Sequence, residues 1–198
     1  MSRKLMSAGA LLMLTLALLS PPGHAAANGP SPQGLSDSYL HVKVALEGRP
    51  VEPSKRLITK VIYHLTMGTE IHLKDTTATD ENGIFKIDVT NLPKGDYYLW
   101  VKTPNYLANA TQIRLPDALG KPVGMEPLMA GDADGNNVVG AIDFLILKRT
   151  FGKTSGQAGY DARADFDGND VINAGDFQLM RTNFGIAGAC EPGSALCP

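Results

Sequence analysis

The chain has 198 residues, with 18 basic and 20 acidic side chains and a formal charge of −2. That balance excludes the basic surface of a nucleic-acid-binding protein. Two cysteines are too few for a disulfide-rich scaffold or, without neighbouring histidines, for a structural zinc site.

Arg3 and Lys4 precede an apolar run from Leu5 to Leu19, with small residues following at Ala25 and Ala27. This is the order of a secretory signal peptide. The run is short for a membrane span, although a membrane anchor is the competing reading. We therefore expect residues 1–27 to be a signal peptide and 28–38 a disordered leader. The mature chain would start between Ala26 and Pro30, be secreted to the extracellular side and carry no membrane span. Without Arg3 and Lys4 the formal charge is −4.

From Tyr39 the chain alternates. "YLHVKVAL" places Leu40, Val42, Val44 and Leu46 on one face of a strand. "LITKVIYHLT" and "TEIHLKDT" predict two more strands rich in β-branched residues. "TDENGIFKIDV" carries an Asn82-Gly83 turn followed by alternating Phe85, Ile87 and Val89. "LPKGDYYLWVKT" brings Tyr97, Leu99 and Val101 to one face, and "ATQIRL" and "VGMEPLM" close the series. About seven short strands over residues 39–130 predict an all-β sandwich of transthyretin-like or Ig-like type.

The pieces "TDENGIF" and "LPKGDYYLWV", with Tyr106 beyond, resemble the carboxypeptidase regulatory-like family. The resemblance implies a transthyretin-like, usually non-catalytic sandwich. The residues themselves show no catalytic motif: His41, His64 and His72 fall on predicted strands without a metal-binding or nucleophile signature. Tyr98 and Trp100 share the face opposite Leu99 and Val101. They are read either as an outward aromatic strip for stacking on sugars or as sandwich packing.

The charge changes character after Ala130. Residues 36–130 hold eleven acidic and eleven basic side chains, whereas 131–185 hold eight acidic and five basic. The excess sits in a phrase written twice, "GDADGNNVVGAIDF" and "ADFDGNDVINAGDF". Asp132, Asp134, Asn136, Val138 and Asp143 occupy positions 1, 3, 5, 7 and 12 of a twelve-residue loop. Asp165, Asp167, Asn169, Val171 and Asp176 occupy the same positions in the second copy. This is calcium spacing of the EF-hand type, in which alternate side chains and the carbonyl of position 7 converge on one ion. Oxygen ligands without sulphur or imidazole favour Ca2+, two ions in all. At position 6, Asn137 and Asp170 replace the usual glycine and tolerate the left-handed turn required there. Val139 and Ile172 at position 8 are expected to pair the two loops. At position 9, Gly140 offers no side chain whereas Asn173 is expected to hold a coordinating water, which predicts tighter binding at the second site.

Each loop runs into one helix. Phe144, Leu147 and Phe151, and Phe177, Met180 and Phe184, recur at helical spacing and are expected to pack against each other. Gly152 and Gly185 are the expected stops. A duplicated calcium loop with only an exiting helix resembles the type I dockerin family, here over residues 131–187. The resemblance implies a cohesin-type partner, contacted by Ala141, Ile142, Lys148 and Arg149 and by Ala174, Gly175, Arg181 and Thr182. Of the two sets, Ile142 and Arg149 make the first helix the stronger expected surface.

In the terminal segment 188–198, Cys190 and Cys197 are expected to pair in an oxidising compartment, two free thiols being the alternative. Three functional readings follow. The first is a secreted, non-catalytic calcium-binding adaptor for a cohesin-type partner, with polysaccharide degradation as the context that the resemblance implies. The second is a calcium-stabilised, self-associating subunit of a surface assembly or filament, motivated by the lack of a linker between Leu128 and Asp132. The third is a carbohydrate-binding module resting on Tyr98 and Trp100.

Overall fold

The computed structural model describes residues 38–194. The expected signal peptide, all but one residue of the leader, and Cys197 lie outside the described residues. In chain order the elements are β1 (Tyr39–Lys43), β2 (Lys60–Met67), β3 (Glu70–Ala78), β4 (Ile84–Asp88), β5 (Gly95–Lys102), β6 (Asn105–Tyr106), β7 (Asn109–Leu115), β8 (Val123–Gly124) and β9 (Ala130–Asp132). Helices α1 (Ala141–Thr150) and α2 (Ala174–Asn183) follow.

The strands form a three-stranded sheet, β4-β1-β8, and a four-stranded antiparallel sheet, β3-β2-β5-β7. The predicted alternation sets their inner faces. Leu40, Val42, Phe85 and Ile87 of the first sheet are buried with Val61, Tyr63, Leu65, Tyr97, Leu99 and Val101 of the second. The Tyr63 and Phe85 rings meet across the layers, 5.6 Å apart. The expected all-β sandwich followed by a small helical region is therefore observed.

Local differences have local causes. The strand predicted from Leu57 begins at Lys60, because Lys55–Leu57 form a 3-10 turn capped by the Ser54 hydroxyl. The Asn82-Gly83 turn is present, with Gly83 at φ +73° and Asp80 Oδ1 accepting from the Asn82 and Ile84 amides. It does not close a hairpin: β3 pairs with β2 and β4 with β1, so the turn carries the chain from one sheet to the other. Of "VGMEPLM", only Val123 and Gly124 form a strand, followed by a single parallel bridge from Leu128 to Leu46.

Nothing separates the sandwich from the calcium-loop region. One apolar cluster runs from Leu40 through Leu128 and Ala130 to Phe166, Ile172 and Met180. The first predicted calcium ligand is itself in a strand, since β9 pairs with β6 and sets Asp132 opposite Asn105. Glu47 adds a polar tie, accepting from the Ala130 amide at 2.9 Å and from the Asn183 side chain of α2. Gly48, at φ +81°, lies so close to α2 that a Cβ there would stand 2.5 Å from Leu179.

Part of the outer face of the four-stranded sheet is also covered. Trp100 is only 4% exposed; it stacks on the fully buried His64 ring and donates its indole N–H to the Ala189 carbonyl at 2.9 Å. Tyr98, by contrast, is 49% exposed. The pair is therefore no open strip for sugar stacking. The segment that follows α2 lies over the tryptophan, and Cys190 within that segment is disulfide-bonded.

Candidate metal centres

The two loops are built alike from short hydrogen-bonded turns. In the first, Asp134 Oδ1 accepts from the Asn136 amide at 3.0 Å and Asn136 Oδ1 from the Val138 amide at 2.8 Å. In the second, Asp167 and Asn169 repeat this on the Asn169 and Val171 amides, at 2.9 and 2.8 Å. Such bonds curl the chain so that alternate carboxylates face one point. Position 6 takes φ +68° at both Asn137 and Asp170, the left-handed value expected there. That turn brings its amide to the position 1 carboxylate: Asn137 N–H to Asp132 Oδ2 at 3.0 Å, and Asp170 N–H to Asp165 Oδ2 at 2.9 Å.

The last carboxylate closes each loop and starts its helix. Asp143 takes the Asp134 and Gly140 amides on its two oxygens, at 2.9 and 2.7 Å. Asp176 takes the Phe166 and Asn173 amides, at 2.8 and 2.9 Å. Both sit at the third position of their helices, where a carboxylate also faces the positive end of the helix dipole.

Asp132, Asp134 and Asp143 bring ligand atoms within 4.8 Å of one another, as do Asp165, Asp167 and Asp176. Asp132, Asp143 and Asp176 are wholly inaccessible to solvent. Burial, the largest influence on each, pushes the Asp167 and Asp176 carboxyls above the ordinary carboxylate range. Converging buried carboxylates need a cation to offset their desolvation and mutual repulsion. The clearest sign is Asp132: Oδ2 has its partners, whereas Oδ1 is buried without a hydrogen bond. The hard, all-oxygen donor set fits Ca2+.

Two expectations are corrected. Val139 and Ile172 do not pair with each other. Val139 exchanges backbone hydrogen bonds with Gly185 and Ile186 beyond α2, and Ile172 with Gly152 and Lys153 beyond α1. Each loop is thus braced by the stretch that leaves the other helix. Asn173 also caps α2, its side-chain oxygen accepting from the Gly175 amide at 2.7 Å. Leu147 and Met180 are buried as expected, but the four phenylalanines of the stripes are 37 to 55% exposed, Phe144 and Phe177 meeting at 6.4 Å.

Sequence reasoning missed the contacts that hold the loops from outside. Lys102, at the end of β5, places Nζ 2.8 Å from Asp132 Oδ2. Tyr160 donates its hydroxyl to Asp165 Oδ2 at 2.7 Å, and burial first, then this bond, raises its pKa. Arg56 donates to the Asp167 carbonyl, and Tyr106, fully buried, donates to the Phe166 carbonyl. Only Tyr160 lies near its target in sequence. The eight expected partner-contact residues are all exposed: Ala141, Ile142, Lys148 and Arg149 on α1, and Ala174, Gly175, Arg181 and Thr182 on α2. Ile142, 54% exposed, stands beside Leu145, 42% exposed.

Residues 130–184 match the dockerin type I domain family. No curated protein matches the chain. Among solved structures, the chain is similar to one from the crystal structure of an N-terminal interface mutant of a type II cohesin–X-dockerin complex from Acetivibrio cellulolyticus. The TM-score is 0.60 at 16% identity, covering 76% of this chain and 97% of that chain. The C-terminal interface mutant of that complex gives a TM-score of 0.56 at 18% identity, with the same coverage. The share of this chain covered is larger than residues 39–130 can supply alone, so the likeness in fold takes in sandwich and calcium loops together. No helix among the described residues is long and apolar enough to cross a membrane.

Proposed function

We propose that the chain is a secreted, non-catalytic adaptor whose dockerin region binds two calcium ions and docks onto a cohesin-type domain. The observation that carries this reading is the pair of matching carboxylate clusters, each opening directly into a helix with an exposed face. In the ion-bound state the helices are held at fixed angles by their closing aspartates, so calcium and docking are coupled. Residues Ala141, Ile142, Lys148 and Arg149 form the stronger docking face. Ile142 and Leu145 offer exposed apolar area where α2 has Gly175 and Gln178, and buried apolar anchors dominate interface energetics. The sandwich of residues 39–130, which we relate to the carboxypeptidase regulatory-like family, acts as a rigid support, and attachment to a polysaccharide-degrading assembly is the context. Residues 1–27, 28–38, 131–187 and 188–198 are then signal peptide, leader, docking region and disulfide-closed tail.

The test is direct binding of the full chain to a panel of purified type I and type II cohesin domains, with calcium and with chelator. Binding in calcium that is lost in chelator supports the adaptor, and Ile142→Asp should weaken it at least tenfold while Gly175→Asp changes it little. Binding to none of the panel, or equal binding in chelator, would overturn it. A second reading, a calcium-stabilised subunit of a self-associating surface layer, is favoured by the shared core and the missing linker. It predicts calcium-dependent sedimentation of the protein alone.

A further inference from the structure

The two calcium loops agree in nearly every internal hydrogen bond, and they differ in what reaches Oδ2 of the first aspartate. At Asp165 that oxygen receives a neutral phenol, Tyr160, from the stretch just before the loop. At Asp132 it receives an ammonium, Lys102, from the sandwich. The Lys102 side chain is 13% exposed and its Nζ has three oxygen partners: Asp132 Oδ2 at 2.8 Å, the Thr103 carbonyl at 3.1 Å and the Tyr106 carbonyl. Three donors meeting three acceptors fix the ammonium in place. The second loop also has a sandwich cation near it, Arg56. Its guanidinium bonds mainly to the Asp167 backbone, approaches Asp167 Oδ1 only to 3.5 Å and is 35% exposed, so solvent screens it more.

We propose that Lys102 is a built-in counter-cation of the first calcium site, contributed by the sandwich, and that it sets the affinity of that site. This rests on the reading of the loops as calcium sites. The reasoning is electrostatic linkage. Without an ion, Asp132, Asp134 and Asp143 put three converging carboxylates beside one ammonium, which offsets part of their repulsion. With Ca2+ bound, the same ammonium faces a dication across a single carboxylate. Lys102 therefore stabilises the ion-free form more than the ion-bound form. It lowers calcium affinity at this site while keeping β9 and the loop seated on the sandwich in its absence. The orphaned Asp132 Oδ1 is consistent with this division of labour: one oxygen of the carboxylate is left for the ion and the other is given to the lysine.

The test is calcium titration of the full chain, wild type against Lys102→Met and Lys102→Arg. Gly135 and Gly168 each lie within one loop, so their amide resonances report the two sites separately. Lys102→Met is expected to tighten the first site by about tenfold or more, the size of removing one nearby like charge from a partly buried site. Lys102→Arg, which keeps the charge, should stay within about threefold, and the second site should not move. Melting in chelator should fall for Lys102→Met, while the gap to wild type narrows in excess calcium. If Lys102→Met unfolds in chelator, the affinity is read by chelator competition from the loaded protein. Unchanged or weaker binding at the first site in Lys102→Met overturns the counter-cation assignment and leaves the calcium sites standing. Absence of calcium binding at both loops of the wild type overturns the metal reading, and this inference with it.

Discussion

Replacing Tyr106 by phenylalanine removes one oxygen and leaves the ring, so it isolates one tie between sandwich and second calcium loop. The hydroxyl donates to the Phe166 carbonyl and accepts from Arg49 Nε at 2.9 Å, with the residue fully buried. Phe166 lies between the ligands Asp165 and Asp167. The variant leaves that carbonyl with only the long 3.4 Å bond from Arg49, at an expected cost of about 2 kcal/mol. Because Phe166 also positions its neighbours, second-site calcium affinity should fall severalfold while the first site holds. The alkaline limb gives an independent check. Burial, partly opposed by Arg49, pushes the Tyr106 pKa from 10 up to about 12. A raised folded pKa gives stability that is complete below pH 10 and lost as pH rises through 12. The wild type should therefore forfeit about 2 to 3 kcal/mol across that window that the phenylalanine variant never had. Urea denaturation at pH 7.5 and pH 11, in chelator, measures both quantities. A gap below about 0.5 kcal/mol at pH 7.5, or one that does not narrow at pH 11, refutes the reasoning.

Other predictions follow from the same contacts. Gly188→Ala would push a Cβ to 2.3 Å from Asn137 Oδ1 and 2.6 Å from the Ala108 amide, so the terminal segment must lift. Emission from Trp100, the only tryptophan, should then shift to the red, with a loss of about 2 kcal/mol. His64 is fully buried, both ring nitrogens lack hydrogen bonds, and burial followed by Lys74 depresses its pKa below 6.5. Its stability contribution is complete above pH 6.5 and lost as pH falls toward the depressed value; His64→Phe should flatten the acid slope of wild-type melting between pH 7 and 5. The charge of Lys102 and the additional carboxylate of Asp170 are expected to make the second site the tighter one. Asp176→Ala should therefore forfeit more calcium affinity than Asp143→Ala in isothermal titration, and equal losses would count against this ordering.

What was legible in the sequence is what depends on near neighbours. The left-handed turns at Asn137 and Asp170, the closing aspartates and the helix stops at Gly152 and Gly185 are local demands of the backbone, and all are found where the spacing put them. The sandwich core followed from strict alternation in β1, β4 and β5. What failed depends on segments distant in sequence. The sequence alone leaves Trp100 facing outward or packed inward, whereas its cover comes from Ala189, 89 residues later. The phenylalanine stripes are expected to bury each other, whereas Leu147 and Met180 join the common apolar cluster and the four rings stay partly exposed. Lys102 gives no signal within β5; its role exists only because β9 pairs with β6 and brings Asp132 beside it.

A single titration couples docking to calcium loading. The full chain is held with a cohesin domain selected from the panel, free calcium is raised from chelated levels, and complex formation is followed together with the Gly135 and Gly168 resonances. No complex is expected without calcium, and docking should rise as the loops fill, completing only when the weaker first site is occupied. Docking already complete in chelator, or two filled loops with no complex for any cohesin domain, would contradict this coupling.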